Sequence, residues 1–342
     1  MSEAEDLGIV RLVAQYFQLI DPKSLAIPPP CILKRPSVQD RIYKEMFDED
    51  SLSPIIPPAN YRLRVLKSII TRIEASEEWD PEEDEIIESL MTAFATLMSQ
   101  PPDPSATDGK STPQLSFVKY TLPTSQTPRS QHIITSESRG LLYGFGSTGF
   151  RTWEAALHLG TYLCSTETGQ ELIRGKRVLE LGAGTGFVSL LCKKHLHAET
   201  MLMTDGNEKL VELFNTTCLT ENKFADTKSI QGKVWEWGTP LSQEEGSPEP
   251  FDIAIGADLT YDTAIIPLLM DTVSILFTSY GVKKFVLSAT IRNKDTFGAF
   301  LAACREYNFR IAKVPYESPP PEDQMGFFHE TRIRICTYIV EP

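Results

Sequence analysis

The stretch from Arg177 to Gly186 constrains this chain more than any other. Val178-Leu179-Glu180-Leu181 is a short β-forming run that stops abruptly in Gly182, Gly184 and Gly186, and Phe187-Val188-Ser189-Leu190-Leu191-Cys192 then begins an apolar helical pattern. Strand, tight turn and helix in that order open a parallel α/β sheet. Glycine belongs where the backbone takes φ > 0 or where another group must touch the main chain, because a Cβ would block the approach. Three glycines in five positions therefore suggest a ligand lying against the peptide, with a purely structural βα turn as the alternative.

Two departures decide which ligand. The dinucleotide fingerprint is G-x-G-x-x-G/A, whereas the spacing here is G-x-G-x-G followed by the bulky Phe187. Glu180 stands at the mouth of the strand, where a carboxylate repels a pyrophosphate and attracts a ligand bearing an ammonium and a sulfonium. Glu180-x-Gly182-x-Gly184-x-Gly186 resembles motif I of the seven-strand (class I) methyltransferases that use S-adenosylmethionine. That resemblance implies a Rossmann-like seven-stranded sheet and S-adenosylmethionine as cofactor. A nicotinamide oxidoreductase is the competing reading of the same loop.

The rest of the chain divides around this element. Leu7 to Ile20 repeats its apolar residues at the spacing of one helix face and should stop at Asp21-Pro22. Further helices are expected at Val38 to Phe47, Ala59 to Ala75, and Pro81 to Met98, the last opened by Asp80 as N-cap and Pro81 at the first helical position. Residues 1–100 thus form a helical region. Residues 101–113, rich in Pro, Ser and Gly, read as a linker, and residues 114–342 as the catalytic domain. In that domain two strand-like segments, Leu115 to Leu122 and His132 to Ser136, precede a second glycine-rich turn from Gly144 to Gly149 and a helix from Trp153 to Leu163. Strands and helices alternate thereafter. Strands are expected at Val178 to Leu181, Thr200 to Thr204, Ser229 to Trp235, Phe251 to Ala257, Lys284 to Thr290, Phe309 to Val314 and Arg332 to Val340, seven in all.

Three loops that follow strands hold candidate chemistry. Asp205 lies 25 positions after Glu180 at the end of the next strand, where a carboxylate can accept from both ribose hydroxyls of an adenosine; an Asp that merely shapes the turn before Gly206 is the alternative. Trp235-Glu236-Trp237 follows the third strand, and an indole beside a carboxylate suits an adenine, although core packing accounts equally for one of the two tryptophans. Trp153 has the same two readings. Asp258-Leu259-Thr260-Tyr261 follows the fourth strand, so Asp258 could hold an incoming nitrogen and Tyr261 orient it, with Asp258 as a helix cap being the structural alternative.

Together Trp153-Glu154-Ala155-Ala156, Glu180 to Gly186, Asp205, Trp237 and Ala257-Asp258-Leu259-Thr260-Tyr261 resemble the D-x-x-Y lysine methyltransferases of the seven-strand class. Within that family, the helical extension and Ala289-Thr290-Ile291-Arg292-Asn293 are similar to the members that modify eukaryotic elongation factor 2. The resemblance implies that Trp153, Gly182, Ala183, Gly184, Asp205, Trp237 and Ala257 contact S-adenosylmethionine, that Asp258 and Tyr261 serve the acceptor, and that a folded protein, elongation factor 2, is methylated on lysine. The lack of Asn-Pro-Pro-Tyr at the fourth strand speaks against amino-methylation of DNA bases or glutamine amides. A non-catalytic escort that uses the nucleoside pocket for stability is the remaining alternative.

Composition sets the outer limits. A net charge of −13 disfavours a general nucleic-acid binder and favours basic partners. Six scattered cysteines without a C-x-x-C pair, and no histidine cluster, indicate neither a metal site nor a disulfide framework. The acidic N-terminus and the absence of an apolar run near the ~18 residues that span a bilayer leave a soluble, cytoplasmic protein as the expectation.

Overall fold

The computed structural model describes residues 3–76, 84–100, 115–123, 131–138, 148–241 and 250–342. The expected linker at 101–113, the helix start at Asp80-Pro81 and most of the Gly144 to Gly149 turn lie outside these residues. The chain divides into two compact units, one comprising residues 1–121 with 127–132 and the other 122–126 with 133–342.

Helices make up most of the first unit: Glu3–Phe17, Pro36–Ile42 running on into a wider turn at Tyr43–Phe47, Ala59–Glu74 and Glu88–Ser99. Their apolar stripes meet in a core that includes Ile9, Leu12, Tyr16, Ile42, Met46, Leu66, Ile69 and Leu90. Tyr16 resolves its one polar atom there by donating from its hydroxyl to the Met46 carbonyl at 2.7 Å. The first helix ends at Phe17 rather than Ile20, because Leu19 takes φ 55° and turns the chain. The last helix begins at Glu88, later than the proline and acids upstream suggest. Gln39, fully buried, holds the segment before it extended: its Nε2 donates to the carbonyls of Lys34 and Glu85, and its Oε1 accepts from Ile87 N at 3.0 Å. The first of the expected strands, β1 (Ser116–Thr121), falls in this unit, and β2 (His132–Glu137) falls almost wholly in the other.

The second unit is built on a seven-stranded sheet. Its strands are β3 (Arg177–Leu181), β4 (Thr200–Asp205), β5 (Ile230–Val234), β6 (Ile253–Ala257), β7 (Lys284–Thr290), β8 (Arg310–Lys313) and β9 (Ile335–Glu341), each within a few residues of its expected place. The spatial order is β5-β4-β3-β6-β7-β9-β8. Strands β5 to β7 in that order run parallel, while β9 lies antiparallel between β7 and β8. Central strands read as continuous apolar runs because helices cover both faces, and Leu179, Leu181, Ala254, Leu269, Met270, Phe285 and Leu287 share one buried cluster. From β3 the chain moves outward through β4 to β5, then returns to place β6 on the other side. That reversal opens a crevice at the carboxyl ends of β3 and β6, the topological switch point where doubly wound sheets bind ligands.

Candidate functional site

Gly182, Gly184 and Gly186 have φ of 55°, 56° and 74°. A side chain is excluded at each by neighbouring protein as well as by conformation. A Cβ on Gly182 would sit 2.7 Å from Leu259 Cδ2 and 3.2 Å from Trp237 Cζ2, and one on Gly186 would meet the Phe214 ring at 2.3 Å. The glycines therefore draw the loops after β5 and β6 onto the end of β3, in addition to baring the main chain. Phe187, 1% exposed, begins the helix Phe187–Lys194 and packs edge-on to Phe327 with ring centroids 4.9 Å apart.

Two carboxylates flank this loop. Asp205 ends β4, and its oxygens accept from Gly184 N and Asn207 N, each at 2.9 Å. It shapes the turn before Gly206, as one of its two sequence readings expects, and also ties that turn to the glycine loop. Burial raises its pKa, and the backbone N–H groups of Asn207, Gly184 and Gly206 partly offset that rise. Glu180 is 2% exposed and accepts from Ser189 Oγ. Burial pushes its carboxyl up to about 8, the Ser189 hydrogen bonds opposing the shift. Among the described residues no basic side chain pairs with either acid. A bound cation would supply the missing counter-charge.

Asp258 follows β6 in the left-handed conformation, φ 57°, which Asp tolerates better than most residues. Its N donates to Ser288 O at 2.8 Å. Its Oδ1 accepts from Thr290 N at 2.8 Å, and its Oδ2 accepts from Thr290 Oγ1 at 3.1 Å and Arg292 Nη1 at 3.0 Å. The carboxylate thus closes the end of β7; the helix after β6 starts only at Ile266, so the helix-cap reading does not apply. Burial raises the Asp258 pKa against the opposing charge of Arg292 and the Thr290 hydrogen bonds. Tyr261 stands 62% exposed at the rim.

Trp153 precedes the helix Glu154–Ser165, and its indole Nε1 donates to Thr148 O at 3.0 Å. Glu137, fully buried, holds this segment in place by accepting from Thr152 N at 3.2 Å and Thr152 Oγ1 at 2.8 Å, and Thr152 Oγ1 in turn lies 2.7 Å from Thr185 Oγ1 in the glycine loop. Nothing in the sequence pattern singled out Glu137 or Thr152, since one acid at the end of β2 carries no periodic signal.

These pieces enclose a cavity of about 510 Å³. Trp153, Glu180, Gly182, Ala183 and Gly184 line it from the first wall. Asp205, Trp237, Ala257, Asp258 and Tyr261 complete the set, so all ten sequence candidates meet at one place. Trp235 touches the same cavity but is 3% exposed and belongs to the core, which separates it from the partly buried Trp237. Arg151 and Arg292 also line the cavity, and sequence spacing gave neither a role. The fit to S-adenosylmethionine rests on chemistry present here: two acids without a basic partner, Glu180 buried and Asp205 half-buried, a ring at Trp237 beside bare peptide, and a largely apolar lining. Among the described residues no cluster of His, Cys, Asp or Glu could hold a metal ion, and no helix is long and apolar enough to cross a membrane.

A family profile described as "Lysine methyltransferase" matches residues 142–306. The protein-lysine N-methyltransferase EFM3 of Chaetomium thermophilum is 37% identical over 334 residues, covering 95% of this chain and 96% of that protein. EFM3 of Saccharomyces cerevisiae is 33% identical over 250 residues, covering 68% and 67% respectively. Protein N-lysine methyltransferase METTL21A of Danio rerio is 32% identical over 168 residues, 48% of this chain and 71% of that one. The nicotinamide reading of the glycine loop falls with these matches. Sheet order, converging loops and similarity along nearly the whole chain lead to one conclusion: this protein belongs to the lysine methyltransferase family.

Proposed function

We propose that the chain transfers a methyl group from S-adenosylmethionine to a lysine of a folded translation factor, elongation factor 2, in the cytoplasm. The observation that carries this reading is the meeting of the glycine loop, Asp205, Trp237 and Asp258-Leu259-Thr260-Tyr261 in one cavity at the switch point. The likeness of Ala289 to Asn293 and of the helical extension to the members acting on elongation factor 2 supports the choice of acceptor. On this reading residues 114–342 form the methyltransferase domain, residues 101–113 the linker, and the helical region 1–100 recognises the acceptor.

Asp205 would take the ribose, Trp237 and Trp153 the flat and apolar parts, and Glu180 the cationic end, while Gly182, Ala183, Gly184 and Ala257 would line the approach. S-adenosylmethionine supplies an electrophilic methyl on a positively charged sulfur when bound. The protein's own part is alignment and exclusion of water. Leu259, Leu268 and Ile265 give the cavity apolar walls, and alignment of the reacting atoms can contribute on the order of 7 to 11 kcal/mol. On this reading Tyr261 at the rim orients the arriving side chain, and Asp258 holds its nitrogen by accepting a hydrogen bond. A lysine amine must be neutral to attack, against an ordinary pKa of about 10.4.

The test is transfer of labelled methyl to purified elongation factor 2, with the lysine located by mass spectrometry. Incorporation at a single lysine is expected, and none at any lysine would refute the substrate assignment. Asp258→Asn, which keeps an acceptor for Thr290 N, should lower kcat by about 100-fold or more with nucleoside binding retained. Unchanged transfer in that variant would remove Asp258 from the chemistry, and binding of elongation factor 2 without transfer by the wild type would favour an escort.

A further inference from the structure

Asp258 does not meet the cavity as an isolated carboxylate. Arg292 Nη1 donates to its Oδ2 at 3.0 Å, and Arg292 Nη2 donates to Glu154 Oε2 at 3.3 Å. The other oxygen of Glu154 accepts from Arg151 Nη2 at 3.2 Å. Four charges therefore alternate in sign along one chain of contacts and sum to zero. Both guanidinium groups lie over the Trp153 ring, with Arg151 Cζ 5.0 Å and Arg292 Cζ 5.4 Å from its centroid. Arg292 keeps 39% of its side chain exposed although it lines the cavity, so it stands where an acceptor would pass.

We propose that Arg292 is a positioning residue that compensates Asp258 beside the acceptor position, so that an arriving lysine is not held there as an ammonium and reacts as the neutral amine. The inference rests on the methyl-transfer reading of this cavity and deepens it. A bare carboxylate within hydrogen-bond reach would stabilise the ammonium and raise its pKa. A guanidinium already bound to that carboxylate removes the stabilisation, and it cannot lose its own proton. The ammonium gives one proton to solvent; its nitrogen then forms the new N–C bond while the donor's C–S bond breaks, the electron pair staying on sulfur. Other titratable groups line the same cavity. They are Tyr261 after β6, Glu236 after β5, and Glu180 and Asp205 along the rest of the cavity. His329 lies near Glu154, and burial lowers its pKa against the opposing Phe327 hydrogen bond and the charge of Glu154. Among the described residues only Arg292 forms an ion pair with Asp258.

The test compares wild type, Arg292→Gln and Arg292→Lys by the pH profile of kcat on elongation factor 2, which reports ionisations in the bound complex, and by binding of an adenosine analogue with a primary alkylamine at the methyl position. In Arg292→Gln the acid limb should move upward by about one pH unit, and Arg292→Lys should restore it. At neutral pH the Gln variant should bind the amine analogue about tenfold more tightly than wild type, the gap closing as pH approaches about 10.4. Thermal melts verify that each variant is folded. An unmoved limb with no gain in analogue affinity, or Arg292→Lys behaving as Gln, overturns this inference alone. Absence of both transfer and nucleoside affinity in the wild type overturns the methyl-transfer reading and this inference together.

Discussion

At the scale of single residues, Glu180 carries the sharpest consequence. The carboxyl is buried beside Ser189, and burial lifts its pKa from 4.5 to about 8. A group whose folded pKa exceeds its unfolded value takes up a proton on folding. Its contribution is therefore fully present at low pH and is lost as pH rises through about 8, with a slope of up to about 1.4 kcal/mol per pH unit. Melting temperature of the ligand-free wild type should fall between about pH 5 and pH 8 relative to Glu180→Gln, whose amide still accepts from Ser189 and cannot ionise. Parallel melting curves for the two proteins would show that Glu180 is not held neutral. The acid at this position was legible from the strand-turn spacing, but its charge state was not. Spacing places a carboxylate at the strand mouth, whereas its proton affinity depends on how completely the neighbouring helix removes water from it.

Among the elements, helix boundaries show where local signals yield to tertiary contacts. Asp80-Pro81 and the acids after it form a strong start signal, yet the helix begins at Glu88 because Gln39, from the helix Pro36–Ile42, captures the Glu85 carbonyl and the Ile87 amide. Gln39→Ala would take the partner from those part-buried backbone groups and leave a void where its own side chain is fully buried, at a cost of about 1 to 3 kcal/mol. Hydrogen exchange should register this as at least tenfold faster exchange in Glu88–Ser99, and an unchanged rate would mean the segment is held by packing alone. The strand of Asp258 behaves similarly. Its sequence marks the loop after β6, but the partners that decide its chemistry are Thr290 at the end of β7 and Arg292 in the loop that follows. Asn293 in the same segment is a helix cap, accepting from Asp295 N at 2.8 Å and Thr296 N at 3.2 Å.

For the whole molecule, the alternation of strands and helices and the net charge of −13 were both readable from the chain, and the charge bears on the proposed partner. An acidic enzyme acting on a basic protein surface gains encounter rate from long-range attraction that salt screens. Raising salt from about 50 to about 300 mM should raise KM for elongation factor 2 several-fold and leave kcat nearly unchanged. A salt-independent KM would place recognition in apolar contacts. The sequence by itself determined the strand-glycine-helix element and the seven strands, because each depends on periodicity, turn chemistry or spacing along the chain, whereas the ten residues at the cavity were named partly by spacing and partly by family resemblance. Tertiary structure alone decided that Leu259 and Phe214 pack against the glycines, that Trp235 is core while Trp237 faces the cavity, and that Arg292 answers Asp258. Those are pairings between residues 28 to 77 positions apart, and no local preference of a polypeptide chain encodes which distant side chain will arrive to satisfy a buried charge or fill a missing Cβ.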